Sequence, residues 1–262
     1  MKPRVTRIEL IRDKQDFSAN VSFIQGALPE LSLYLDKLHP EEAMIYNNYQ
    51  HKRRKESYLL GRLSAKEAVL SLTNINQPKS IWIDKGIFQF PIVKCPSLSN
   101  VQVSISHCDT IGFSIAYPEA HPMGIDVERI QTDRMALILS QLTDNEKLLL
   151  TQQNKNNITS CTALFSIKEA LSKIIRTGMM LDFKFLEVDT FSQNKKVVEC
   201  TFTHFGQYRA FAYSIGNYVF SLVLPKRTSV NLIQVWKMLE EECLNYEFTL
   251  KTAQLGELRY IS

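Results

Sequence analysis

Residues 124–130 read GIDVERI, with Asp126 and Glu128 set between Ile125, Val127 and Ile130. That alternation is a strand's, and successive strand side chains point to opposite faces. Ile125 and Val127 then face a core together, while Asp126 and Glu128 share the other face only several ångströms apart. Like charges that close raise one another's pKa unless a cation sits between them. One chemistry is a hard divalent cation held by oxygen ligands, Mg²⁺ first; the other is a solvated acidic face with Arg129 as a salt-bridge partner. A third carboxylate bears on the choice. In LFSIKEALSKIIR, residues 164–176, the side chains of Leu164, Ile167, Leu171 and Ile174 form an apolar stripe at helical spacing. Glu169 lies roughly opposite that stripe, with Phe165, Lys173 and Arg176 on its side. An exposed Glu169–Lys173 pair accounts for this face by itself. If the helix is central and its second face lies in a cleft, Glu169 becomes a third metal ligand or a base.

The surrounding pattern predicts the elements that must position these acids. Residues 6–12 alternate as a strand, and a helical region follows. Pro40 with Glu41 and Glu42 suits a helix's first turn. Residues 51–74 continue helical, 81–88 read as a strand, and 100–117 read as a hairpin turning near residues 107–110. After residues 118–124 the order restarts. GIDVERI is a strand, Thr143 and Glu146 make a capping box, and residues 159–178 form a strong helix ending at Gly178. Strands are predicted at 183–189, 196–202 and 208–224, the last with a Gly216–Asn217 turn. The tail carries a helix with Leu232, Ile233, Trp236 and Leu239 on one side. No residue-level repeat aligns the halves, but the order of elements predicts an α+β fold of two similar units with a ligand cleft between them. The predicted division is residues 1–120, 121–228 and 229–262.

Bulk properties narrow the classes. The 262 residues carry 31 Lys and Arg against 27 Asp and Glu, an excess too small to argue for nucleic acid but compatible with a local basic patch. Five widely spaced cysteines without a C-x-x-C read as reduced thiols. No apolar run suits a signal peptide or a membrane helix, which makes a cytoplasmic, soluble protein the expectation.

The pair GIDVE and FSIKEALSK, some forty residues apart, resembles the signatures of the 4′-phosphopantetheinyl transferase superfamily, and with the upstream Ser-His it is similar to the surfactin-synthetase-activating (Sfp-like) group. The likeness spans roughly residues 53–224. It implies a single chain of two pseudo-symmetric α+β halves with the active site in the cleft between them. It also implies transfer of the 4′-phosphopantetheine arm of coenzyme A to a serine of an acidic apo carrier protein, with release of adenosine 3′,5′-bisphosphate. Asp126, Glu128 and Glu169 match the acids that hold Mg²⁺, or Mn²⁺, against the pyrophosphate. Glu169 also matches the group that helps deprotonate the carrier serine. Lys168 and Lys173 match the family's two lysines at coenzyme A, Lys173 facing the phosphates.

By the same resemblance Ser106 and His107 contact the nucleotide end, with His107 near the 3′-phosphate. Arg62 matches a family Gly-Arg element, whose rigid fork suits phosphate. Within the basic run at residues 52–55, Arg53 is the expected phosphate contact, and Gly86 is expected to allow a close backbone approach to adenine. Three features depart from the family pattern. Phe165 stands where many members have Trp, the Gly-Lys-Pro element is broken between Gly86 and Pro91, and the resemblance stops at Leu224. A monomer with no nucleic-acid or membrane partner is expected. The competing functions are a non-catalytic module that docks on a carrier or nucleic acid, and a Mg²⁺-dependent phosphohydrolase.

Overall fold

The structure, a computed structural model, describes residues 2–73, 75–155, 157–177 and 180–244. The first half contains strands β1 (Arg4–Ile11) and β2 (Phe17–Gln25), then helices α1 (Leu28–Ser32), α2 (Pro40–Asn48) and α3 (Lys52–Leu72). A short hairpin, β3 (Trp82–Lys85) and β4 (Pro91–Lys94), precedes the longer hairpin β5 (Val101–Cys108) and β6 (Ile111–Pro118). The second half opens with β7 (Gly124–Arg129), continues through α4 (Met135–Gln141), α5 (Asp144–Gln152) and α6 (Ile158–Ile175), and closes with β8 (Val188–Asn194), β9 (Val197–Phe202), β10 (Tyr208–Ile215) and β11 (Tyr218–Pro225). A two-residue strand, β12 (Ser229–Val230), and a helix over 233–244, here α7, follow.

Two antiparallel five-stranded sheets result, ordered β12-β1-β2-β6-β5 and β7-β11-β10-β9-β8. Helix α3 crosses β2, β5 and β6; helix α6 crosses β7, β10 and β11. Ile8, Val21, Phe23 and Phe113 of the first sheet bury against Ile125, Val127, Phe220 and Leu222 of the second, with Val235 and Trp236 of α7 in the same core. The Phe113 and Phe220 rings meet edge to face at 5.3 Å, the arrangement aromatic quadrupoles favour. These contacts hold the two sheets together and fix the groove between β5 and β7.

Several expectations change. The segment expected to continue as helix after β1 contains β2, a central strand. Residues 19–24 are all buried because α3 covers one face and the shared core the other, so Asn20 and Ser22 sit inside and the apolar alternation is lost. The strand expected over 81–88 stops at Lys85, where the chain turns. Residues Phe183–Leu186 form a 3₁₀ turn, and β8 begins only at Val188. Leu232, just ahead of α7, and Trp236 and Leu239 within it are buried, but Ile233 is exposed. The predicted helix ends at Asn74 and Gly178, and the part of the tail from 245 to 262, lie outside the described residues.

The structure also overturns the absence of a repeat. The string S-x-K-E-A occurs at residues 64–68 on α3 and 166–170 on α6. Ser64 Oγ meets Ser114 Oγ of β6 at 2.6 Å, and Ser166 Oγ meets Ser221 Oγ of β11 at 2.8 Å. Both partner serines stand in a Phe-Ser-aliphatic string, residues 113–115 and 220–222. Four matching letters in five positions escape notice because the loops between the matched elements differ in length.

Candidate active site

β7 is the outer strand of its sheet, and the backbone edge it turns away from β11 runs beside β5. Ile125 N donates to Ser104 Oγ at 3.2 Å and Val127 N to Ser106 Oγ at 3.3 Å. The two serines share one face of β5 by strand periodicity, so hydroxyls rather than a continuous ladder satisfy the buried edge. Gly124 lets α6 come close. A Cβ there would lie 2.0 Å from the Ala170 carbonyl oxygen, which accounts for glycine at the head of GIDVE. The close approach brings Glu169 and Lys173 to the acids of β7.

Asp126 is 3% exposed. Its Oδ1 accepts from Ser106 Oγ at 2.7 Å and from Lys173 Nζ at 2.8 Å, and its Oδ2 accepts from Ser166 Oγ at 2.8 Å. Lys173 Nζ also donates to the Ile125 carbonyl at 2.9 Å. Glu128 Oε2 accepts from Arg134 Nη1 at 2.7 Å, and that guanidinium lies 5.8 Å from the centre of the Phe165 ring. Burial, and then the charge of Asp126, push the Glu128 carboxyl up. Burial and the same neighbour push Glu169 up to about 7. The Glu169 carboxylate makes no hydrogen bond or ion pair among the described residues. These acids therefore carry more negative charge than their protein partners offset, and an all-oxygen set is what Mg²⁺ prefers. The donor chemistry fits a divalent cation. The expected convergence on one ion is nevertheless not formed: among the described residues no three His, Cys, Asp or Glu side chains are arranged to hold a metal, because Asp126 is engaged by Lys173 and Glu128 by Arg134.

Beside the acids lies a cationic cavity of about 280 Å³, lined by Arg54, Arg62, Lys85 and His107 with Tyr58. Arg62 is 8% exposed and packs its guanidinium 4.8 Å from the Tyr58 ring centre, with a buried Nε that has no partner among the described residues. Burial, with Arg62 and Arg54 nearby, pushes the Lys85 ammonium down. Burial and then Lys173 do the same to His107. Crowded cations of this kind gain from an anion placed among them. The cavity shares Gln89, Pro91 and Ile105 with a more apolar pocket of about 360 Å³ that reaches Glu169, Lys173 and Phe183. It shares Ser57 and His107 with the cleft that holds Glu128 and Arg134. The three form one continuous groove along β5.

The structure thus brings together Asp126, Glu128, Glu169, Lys173, Arg62 and His107. Arg53 lies in the cleft beside Glu128, while Arg54 reaches the cationic cavity. Helical phase distinguishes them, since Arg54, Tyr58 and Arg62 fall on one face. Gly86 shapes the β3–β4 turn, donating to the Phe90 carbonyl at 2.8 Å, and its neighbours Lys85, Gln89 and Pro91 line the cavity. Lys94 bonds Asp84 at 2.6 Å across the Trp82 ring.

Two expectations are corrected. Ser106 was expected at the nucleotide, but its hydroxyl is used by Asp126 and Val127 N, so it orients the acid. Lys168 was expected at coenzyme A, but its side chain is 0% exposed and its Nζ meets both Glu146 oxygens, at 2.9 and 2.7 Å, on the core side of α6. Arg54, Lys85, Ser166 and Arg134 were not singled out from the sequence.

A family model described as the 4′-phosphopantetheinyl transferase superfamily matches residues 122–223, the segment that carries all three acids, Lys173 and Arg134. The chain is also similar to the protein named 4′-phosphopantetheinyl transferase gsp of Aneurinibacillus migulanus, with 28% identity over 164 residues. The match covers 60% of this chain and 66% of that relative, just under two thirds of its length.

Proposed function

We propose that this protein transfers the 4′-phosphopantetheine arm of coenzyme A to a serine of an apo carrier protein. One observation carries the reading: a carboxylate cluster with a fixed lysine, and a cavity lined by Arg54, Arg62, Lys85 and His107, lie on one groove between the halves. The 3′-phosphate and nucleotide suit the cavity of Arg54, Arg62, Lys85 and His107. The pantetheine arm suits the apolar pocket that runs past Ile105 to Phe183. Asp126, Glu128 and Glu169 would hold Mg²⁺, or Mn²⁺, which when bound neutralises charge on the pyrophosphate.

In the reaction the serine oxygen forms a bond to the phosphorus that bears the pantetheine arm. The bond from that phosphorus to the bridging oxygen breaks, and adenosine 3′,5′-bisphosphate leaves with the electron pair. Glu169, the acid without a hydrogen-bonded partner among the described residues, takes the serine proton. Lys173, held between Asp126 and the Ile125 carbonyl, stabilises charge on the leaving phosphate. The same reading keeps the division into 1–120, 121–228 and 229–262, although β12 of the tail pairs with β1. It also keeps a monomer in the cytoplasm; no helix among the described residues is long and apolar enough to cross a membrane.

The test is to mix protein, coenzyme A, Mg²⁺ and an apo carrier domain and to weigh the carrier. A gain equal to the phosphopantetheine arm is expected, and Glu169→Gln should suppress it far more than it weakens coenzyme A binding. Unchanged mass across several acyl, peptidyl and polyketide carriers argues against the reading, and phosphopantetheine released without a carrier marks a hydrolase instead.

A further inference from the structure

The S-x-K-E-A repeat carries a buried ion pair in each half, and the two are built alike. In the second half Glu146 is the third residue of α5 and closes a capping box with Thr143, whose N–H donates to Glu146 Oε2 at 2.7 Å. Its Oε1 accepts from Val188 N at 2.9 Å, where β8 begins. Lys168 of α6 meets both carboxylate oxygens and donates to the Gln141 carbonyl at the end of α4. In the first half Glu42 is the third residue of α2 and closes a capping box with His39, whose N–H donates to Glu42 Oε2 at 3.0 Å. Its Oε1 accepts from Ile83 N at 2.9 Å, in β3. Lys66 of α3 meets Glu42 at 2.9 Å and donates to the Pro78 and Ile81 carbonyls. All four side chains are essentially unexposed.

Each pair therefore locks a long helix to a short helix's N-terminus and to the start of the next strand. Burying an ion pair is weak grounds for stability, because desolvation offsets the attraction. What a fully satisfied buried pair does supply is a unique arrangement of the elements it joins. The joined elements differ in task. α3 carries Arg54 and Arg62, and β3 leads into the turn bearing Lys85 and Gln89, so the first lock sets the cationic cavity. α6 carries Glu169, next to Lys168, and Lys173, and the segment ahead of Val188 carries Phe183, stacked on Phe165 at 5.4 Å. The second lock sets the acid and lysine against β7.

We propose that Glu42–Lys66 and Glu146–Lys168 are duplicate positioning pairs with divided labour, the first for binding the nucleotide end of coenzyme A and the second for the transfer step. This rests on the transferase reading above. The experiment uses neutral double variants, because a single substitution leaves a buried charge unpaired. Gln replaces each Glu to keep its size and one of its two backbone N–H bonds, and Met replaces each Lys to keep its volume. Coenzyme A affinity is measured by calorimetry, and kcat at saturating coenzyme A and carrier.

Glu146→Gln with Lys168→Met should lower kcat about tenfold or more and leave coenzyme A Kd within about twofold. Glu42→Gln with Lys66→Met should raise Kd about tenfold or more and leave kcat within about threefold. Lys66→Arg and Lys168→Arg, which keep the charge but not the geometry, should show the same split with smaller amplitude. Equal effects of both pairs on Kd and kcat, or none from either, overturn the proposal, as does loss of the fold in all four variants. A parent protein that binds no coenzyme A and transfers nothing overturns the transferase reading itself. A parent that does both, with unsplit variants, overturns only the division of labour.

Discussion

Asp126 takes three donated hydrogen bonds, from Ser106, Ser166 and Lys173, which hold it in one rotamer between β5 and α6. A hydrogen bond to a charged group is worth about 1.5–3 kcal/mol, so loss of one serine hydroxyl leaves the carboxylate present and imprecisely aimed. Ser166→Ala is expected to lower transfer about tenfold while coenzyme A Kd changes less than about threefold, a contrast read by steady-state kinetics beside calorimetry. Equal loss in both would give Ser166 a binding role. Lys173→Ala removes the cation proposed to face the leaving phosphate and a donor from the Ile125 carbonyl. Its transfer rate should fall about a hundredfold or more, the size associated with losing one preorganised charge-stabilising donor. Parent-like turnover would show Lys173 to be peripheral.

At the scale of elements, Gly124 sets the distance between β7 and α6. A methyl group 2.0 Å from the Ala170 carbonyl must push strand and helix apart. Overpacking of this kind costs about 1–3 kcal/mol. Gly124→Ala should lower the thermal midpoint by roughly 4–8 °C and depress transfer more than coenzyme A binding, because Glu169 is the neighbour of Ala170. An unchanged midpoint by differential scanning calorimetry would mean the two elements adjust without strain. These site elements were legible in the sequence because their signals are local. GIDVER alternates, the Thr143–Glu146 box marks a helix start, and the stripe of α6 fixes which side Glu169 faces. β2 was not legible, because Asn20 and Ser22 are buried by a helix distant in sequence. Nor was the inward side of Lys168: a lysine beside Glu169 reads as solvent-facing until Glu146 is seen to meet it. The cationic cavity was half legible, since it needs a hairpin whose turn position no local pattern reveals.

The molecule as a whole is closed by a contact far from the groove. His121 lies in the connection between β6 and β7, and its Nε2 meets Thr228 Oγ1 at 2.7 Å, just ahead of β12. Its ring packs 5.4 Å from Phe17 of β2, and its Nδ1 is buried without a partner among the described residues. One imidazole thus touches the first sheet, the crossing between halves and the returning tail. Burial, with a small contribution from Arg12, pushes its pKa from the ordinary 6.5 down to about 4. The sign follows from which state takes the proton. Between those values the unfolded chain is protonated at His121 and the folded one is not. Stability from this residue is therefore complete above the unfolded value, falls as pH drops toward 4, and is flat below it. A shift of that size corresponds to about 3 kcal/mol. Carboxylates also titrate in this range, so the useful quantity is the difference between the parent and His121→Gln, which keeps a donor for Thr228 but does not titrate. Urea unfolding at pH 7.5 and 4.5 should show the parent losing stability relative to the variant by about 2–3 kcal/mol between the two conditions. A difference that does not change with pH would show that His121 is protonated alike in both states, and that the joint between the halves does not depend on its neutrality.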